Sequence, residues 1–229
     1  MDAPAAATVI DRSIDLGVNM IDTANVYSKG LSEQYIGRAI KGKRDRVLIA
    51  TKFGMKWADG PHGMGGSRKH VIDSVNGSLE RLGTDHIDLF QMHQPDTQTP
   101  VDETMRALDD VVRAGKVRYV GCSNFAGWQV AESWWVSEHN GFVKMVSAQP
   151  EYSMLERTIE KEVLPSCRRF GMGILPYYPL AHGFLTGKYR RGQPPPQGTR
   201  LALLESARLR RLTDRNFDIV EKLAGVKVP

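Results

Sequence analysis

The sequence predicts an α/β fold, a parallel (β/α)8 TIM barrel with about six of its eight strands present. Two observations carry this prediction. Strand-like and helix-like runs alternate along the chain, which implies a parallel sheet joined by right-handed crossovers. The expected strands also end in Asp22, Lys52, His93, Ser123-Asn124, Gln149 and Tyr177, each time a group able to do chemistry. A barrel gathers the C-terminal ends of its strands at one mouth. The competing doubly wound sheet calls for a glycine-rich turn after its first strand. Here that strand runs into Asp22-Thr-Ala-Asn-Val-Tyr27, without glycine.

The elements follow in order. Val9 to Leu16 is the end of an amphipathic helix, stopped by Gly17. Asn19 to Asp22 is a short strand, and Ser32 caps a helix reaching about Ile40. Val47 to Lys52 is a buried strand. Phe53 to Ser67 holds five glycines and reads as a long loop, after which Ser67 caps a helix to Leu82. Ile87 to His93 is a strand; Thr99-Pro100 opens a helix with proline at its first position, ending at Gly115. Val117 to Cys122 is a strand and Gly127 to about His139 a helix, with Trp128, Trp134 and Trp135 expected as core or helix–helix contacts. Met145 to Gln149 is a strand, Thr158 to Phe170 a helix ended by Gly171, and Gly173 to Tyr177 the last strand. A glycine-bearing loop, a proline-rich loop at Gln193 to Gln197 and helical segments to about Leu223 complete the chain. The expectation is one domain over residues 1–229, truncated at both ends, with the first strand and the last strand and helix missing.

Composition narrows the function classes. Apolar residues make up 41% and charged residues 25%, an ordinary soluble balance. Two cysteines, Cys122 and Cys167, are no disulfide framework, so a cytoplasmic location is expected and both thiols read as small buried hydrophobes. No apolar run approaches membrane-spanning length, and the first residues lack a signal-peptide pattern. The net charge of +5 is spread along the chain except for Arg208 to Arg215, which reads as a solvated helix face. No nucleic-acid or membrane partner is expected. His62, His70, His86, His139 and His182 form no metal-ligand spacing, so no metal is expected.

Reducing a carbonyl by hydride requires a proton for the oxygen and an environment that tolerates the developing alkoxide. A phenol becomes a usable acid when an ammonium nearby favours the phenolate, and a carboxylate keeps that ammonium charged and aimed. Asp22, Tyr27, Lys52 and His93 supply the carboxylate, phenol, ammonium and imidazole, at or just beyond three successive strand ends. Each has a plainer reading alone: a cap, a loop aromatic, an exit charge, a core histidine. The convergence of all four at one barrel mouth, followed by Ser123, Asn124 and Gln149, favours the chemical reading.

Asp22-Thr-Ala-Asn-Val-Tyr27, Gly30-Leu-Ser-Glu33 and Gly37-Arg-Ala-Ile resemble the first signature of the aldo-keto reductases, of the bacterial type. Ala50-Thr-Lys52, Ser78 to Asp85, His93-Gln-Pro-Asp96, Gly115 to Phe125, Gln149-Pro-Glu-Tyr152, Pro176 to Leu180 and Leu185-Thr-Gly-Lys188 match later blocks in order. The resemblance implies an NADP(H)-linked oxidoreductase acting on CH–OH donors and small-molecule carbonyls, with NAD not excluded. It implies that Tyr27 is the general acid, tuned by Lys52 and Asp22, and that His93 orients the substrate carbonyl. Ser123, Asn124 and Gln149 would hold the nicotinamide carboxamide, with Tyr177 stacked on its ring and Tyr178 beside it. Leu180, Gly183, Leu185, Gly187 and Lys188 would line the pyrophosphate, with Arg200 at the adenosine phosphates. Trp57 is a candidate for the substrate mouth, or a packing residue. A second reading is a cofactor-binding partner protein similar to potassium-channel β subunits; these typically carry an amide where this chain has His93. A third is an inactive truncated copy. Substrate identity and oligomeric state are not legible.

Overall fold

The computed structural model describes residues 2–224. Six strands form one sheet: β1 (Met20–Asp22), β2 (Leu48–Phe53), β3 (Ile87–Met92), β4 (Val117–Ser123), β5 (Met145–Gln149) and β6 (Gly173–Ile174). Their spatial order equals their chain order, and every pairing is parallel. Helices α1 (Ala3–Asp15), α2 (Leu31–Ala39), α3 (Arg68–Leu82), α4 (Val101–Arg113), α5 (Gly127–Asn140) and α6 (Val163–Arg169) alternate with them. This is the arrangement of an incomplete (β/α)8 barrel. A flat sheet would hold β1 and β5 about 19 Å apart, four strand spacings. Yet Gln149 on β5 hydrogen-bonds Asp22 on β1 at 2.9 Å, so the sheet curls round on itself.

The described residues fall into two compact units, one comprising the chain to Gln149 with Glu162–Ile174, the other Pro150–Lys161 with the residues from Leu175 on. In the first unit the sheet core is apolar, with Phe53 stacked on Phe90 at 4.7 Å. Charge is buried there only in paired form: Glu33 accepts from Thr51 Oγ1 at 2.6 Å and from Arg81 Nε at 2.7 Å. Cys122 and Cys167 are buried in this unit, and burial pushes both thiols up. In the second unit α7 (Arg200–Leu203), α8 (Glu205–Arg211) and α9 (Asp214–Ala224) follow a 3-10 turn at Ala181–Thr186. Ala181, Phe184, Tyr189, Leu201, Ala207 and Phe217 make its apolar cluster. Glu151 ties the unit together by accepting from Arg210, at 2.6 and 2.7 Å, and from the buried Arg211.

Most helix signals act as expected. Ser67 Oγ caps α3 by accepting from His70 N–H at 3.4 Å, and Gly83 ends that helix in the left-handed region. Four expectations are corrected. Ser32 is not a cap: α2 begins at Leu31 after the left-handed Gly30 (φ 85°), and the Ser32 hydroxyl shares a 2.8 Å hydrogen bond with that of Thr23. Only glycine suits position 30, because a Cβ there would lie 2.7 Å from Arg81 Cδ. The helix expected over 158–170 is broken into a 3-10 turn at Thr158–Lys161 and the short α6. Pro165 is the reason: its ring excludes a helical carbonyl four residues back, while near the start of α6 its missing N–H costs nothing. β6 stops at Ile174 instead of reaching Tyr177, since Pro176 has no N–H for a ladder; Tyr177 instead bridges Glu151, donating its N–H to Pro150 at 2.9 Å. Finally, Trp128 and Trp135 are 60% and 62% exposed. They lie seven residues apart on one face of α5, opposite the buried Val130, Ser133 and Ser137. Trp134 packs on Phe170 at 4.8 Å, while the exposed Trp135 stacks on His139 of its own helix at 5.1 Å.

Candidate active site

β2 enters the sheet through five consecutive buried residues from Ile49 to Phe53, which leaves the long side chain of Lys52 no route to solvent. Lys52 is fully buried, and its ammonium must find oxygens. It donates to Asp22 Oδ2 at 2.6 Å and to the Thr23 carbonyl at 2.7 Å. Burial pushes the Lys52 pKa below its ordinary value; the charge and hydrogen bond of Asp22 oppose this. The second Asp22 oxygen, Oδ1, accepts from Gln149 Nε2.

Beyond β1 the chain turns through Tyr27–Gly30, where Ser28 and Lys29 adopt left-handed φ. This brings the Tyr27 ring above Lys52, whose Nζ lies 5.2 Å from its centroid. Tyr27 is 40% exposed, so the phenol sits between a buried cation and the exterior. His93, one residue past β3, meets the Tyr27 ring edge-on at 5.7 Å. Its pKa is pushed down to about 4, first by burial and then by the Lys52 charge, with Asp22 acting the other way. The imidazole is therefore neutral at physiological pH, and its buried Nδ1 has no hydrogen-bond partner among the described residues. A neutral ring still carries one donor N–H, which is what orienting a carbonyl oxygen requires. The four expected groups thus converge in one unit at the C-terminal rim of the sheet.

Ser123 and Gln149 close β4 and β5 as register partners, with Asn124 next in the chain. Ser123 Oγ donates to the Gln149 carbonyl at 2.7 Å. Asn124, left-handed at φ 60°, donates through Nδ2 to the His93 carbonyl at 2.9 Å and to Ser123 Oγ at 3.1 Å. The amide oxygens of Asn124 and Gln149 are of a type that can accept from a carboxamide N–H, so this trio has the chemistry to suit a nicotinamide head.

In the second unit, half-buried Tyr177 meets Tyr178 edge-on at 5.1 Å, and Arg200 lies 5.7 Å over the Tyr178 ring. Gly183 is left-handed, and a Cβ there would come within 2.9 Å of Lys188 Nζ. The glycine lets this cation lie close along the turn. The N–H groups of Gly183 and Leu185 donate to the Leu180 carbonyl, and that of Gly187 to Phe184. Lys188 and Arg200 are therefore the groups of this segment suited to an anion, rather than those amides. Leu180 is exposed.

Trp57 is 42% exposed, with Arg81 4.6 Å over its indole, and it packs beside Gly30 in the turn that carries Tyr27. Sequence reasoning missed Thr23, which acts through a backbone carbonyl that no residue pattern reveals. It also missed the Gln149–Asp22 hydrogen bond.

The model of the aldo/keto reductase family matches residues 1–227. The chain is 40% identical to an uncharacterized oxidoreductase, YrpG, of Bacillus subtilis (strain 168), over 98% of this chain and 73% of that protein. It is 37% identical to a probable voltage-gated potassium channel subunit beta of Oryza sativa subsp. japonica, over 99% and 70%. It is 34% identical to the versiconal hemiacetal acetate reductase of Aspergillus parasiticus, over 96% and 70%. With a barrel rim that unites a phenol, an ammonium, a carboxylate and an imidazole, and a family match along almost its whole length, this chain belongs to the aldo/keto reductase family of oxidoreductases.

Proposed function

We propose that this protein reduces aldehydes or ketones to alcohols with NADPH, Tyr27 acting as the general acid. The observation that carries this reading is a fully buried lysine ammonium beneath the face of a partly exposed phenol. Bound there, NADPH would supply the hydride for the carbonyl carbon. The Tyr27 hydroxyl gives its proton to the carbonyl oxygen, and the Lys52 ammonium stabilises the phenolate left behind. Asp22 holds that ammonium in place, and neutral His93 orients the carbonyl. Ser123, Asn124 and Gln149 receive the carboxamide, Tyr177 and Tyr178 the ring, and Lys188 and Arg200 the phosphates. Leu180, Gly183, Leu185 and Gly187 shape that phosphate segment, and Trp57 borders the substrate mouth. The preference for NADPH over NADH comes from the resemblance. The setting proposed is the cytoplasm; no helix among the described residues is long and apolar enough to cross a membrane.

The test is Tyr27→Phe. Carbonyl reduction is expected to fall by orders of magnitude while NADPH binding, read by fluorescence titration, persists; near-wild-type turnover would remove Tyr27 as the acid. A second reading, a cofactor-binding partner like the rice relative's name, draws on that 37% identity. His93 argues for catalysis instead. NADPH binding without turnover of any carbonyl in a broad panel would favour the partner reading.

A further inference from the structure

We infer that Gln149 is a positioning residue for the proton-donating group: through its hydrogen bond to Asp22 it secures the charge on Lys52, and it passes occupation of the nicotinamide pocket on to that charge. The first half rests on geometry alone; the second rests on the cofactor reading above.

Asp22 and Gln149 stand 127 positions apart, on strands that are not neighbours in the sheet. No local requirement of the chain produces their contact. The Asp22 carboxylate is shared, one oxygen for Lys52 Nζ and the other for Gln149 Nε2. The Gln149 backbone is pinned by Ser123 Oγ and by Asn124 N–H at 3.3 Å, so its amide approaches Asp22 from a fixed base. The charged and titratable groups facing Lys52 are Asp22 from β1, Tyr27 from the turn after it and His93 from the end of β3. Asp22 is the anion among them. Burial works against the Lys52 charge and Asp22 works for it. The charge therefore depends on the Asp22 carboxylate staying turned towards Lys52, which an amide N–H holding its other oxygen favours. An amide whose oxygen accepts a hydrogen bond becomes a stronger donor. A carboxamide N–H bound at Gln149 Oε1 would thus tighten the grip on Asp22, and the hold on Lys52 with it.

The experiment is an NMR titration of the Lys52 side chain in the cofactor-free protein. Gln149→Leu is expected to lower its midpoint by about one pH unit, the scale of a lost hydrogen bond to a charged group. Gln149→Glu, nearly isosteric, adds a second carboxylate and is expected to raise it. Unchanged midpoints, or shifts of both variants in one direction, overturn the inference, because general loosening of the fold would not give opposite signs. In an Asp22→Asn background the effect of Gln149→Leu is expected to vanish; a full shift there would refute the route through Asp22. NADPH is expected to raise the wild-type midpoint and leave Gln149→Leu unmoved; equal responses overturn the transmission. If NADPH fails to bind wild-type protein by fluorescence, the cofactor reading and the transmission fall, while the cofactor-free titrations still decide the link to Lys52.

Discussion

Lys52 and His93 show how one buried cation shapes its neighbours. Lys52→Met removes the charge that would stabilise a Tyr27 phenolate. Turnover is expected to fall nearly as far as in Tyr27→Phe, with NADPH affinity retained in fluorescence titrations. His93 is held neutral, and this has a cost in stability at low pH. Its folded pKa of about 4 lies below the ordinary imidazole value, so between the two the unfolded chain binds more protons. Stability is expected to be complete at neutral pH and to drop as pH falls from about 6.5 towards about 4, by up to about 3 kcal/mol. Urea midpoints measured across that range check it. His93→Gln should flatten the dependence, and an equally steep loss in the variant would place its origin elsewhere.

At the scale of elements, the helices fix where the rim residues stand. α2 and α3 approach so closely that a Cβ at Gly37 would sit 2.4 Å from the Leu82 carbonyl oxygen. Backbone cannot yield as a flexible side chain can, so Gly37→Ala is expected to destabilise by roughly 1–3 kcal/mol in denaturant melts. Buried Glu33 joins α2 to β2 through Thr51 and to α3 through Arg81. Arg81→Met would leave that carboxylate buried without its cation, at a cost of about 3–5 kcal/mol. Chemical denaturation would measure it, and a loss under about 1 kcal/mol would mean that Glu33 reaches water or takes up a proton. Element types and most strand limits were legible because periodicity and caps are local properties. The errors came where a proline inside the segment or a tertiary contact overrode the pattern: Pro165 broke the helix expected over 158–170, Pro176 ended β6 early, and Ser32 met Thr23 because Gly30 had already turned the chain into α2.

For the whole molecule, the second unit owns an apolar cluster centred on Phe184, Tyr189 and Phe217. Phe217→Ala should cost about 3–5 kcal/mol there. Amide exchange is expected to quicken first in α8 and α9, and uniform acceleration through β2–β4 would show that the two units unfold together. The sequence alone determined the order of strands and helices, the family, and which side chains stand at strand ends, because alternation and short motifs are written along the chain. Only the tertiary structure decided what those side chains do to one another. It drew Gln149 onto Asp22 and closed the Thr23 carbonyl over Lys52. It also turned Trp128 and Trp135 outward. The physical reason is the curl of the sheet: it joins groups more than a hundred residues apart in low-dielectric surroundings, where each charge is set by neighbours that no local pattern names.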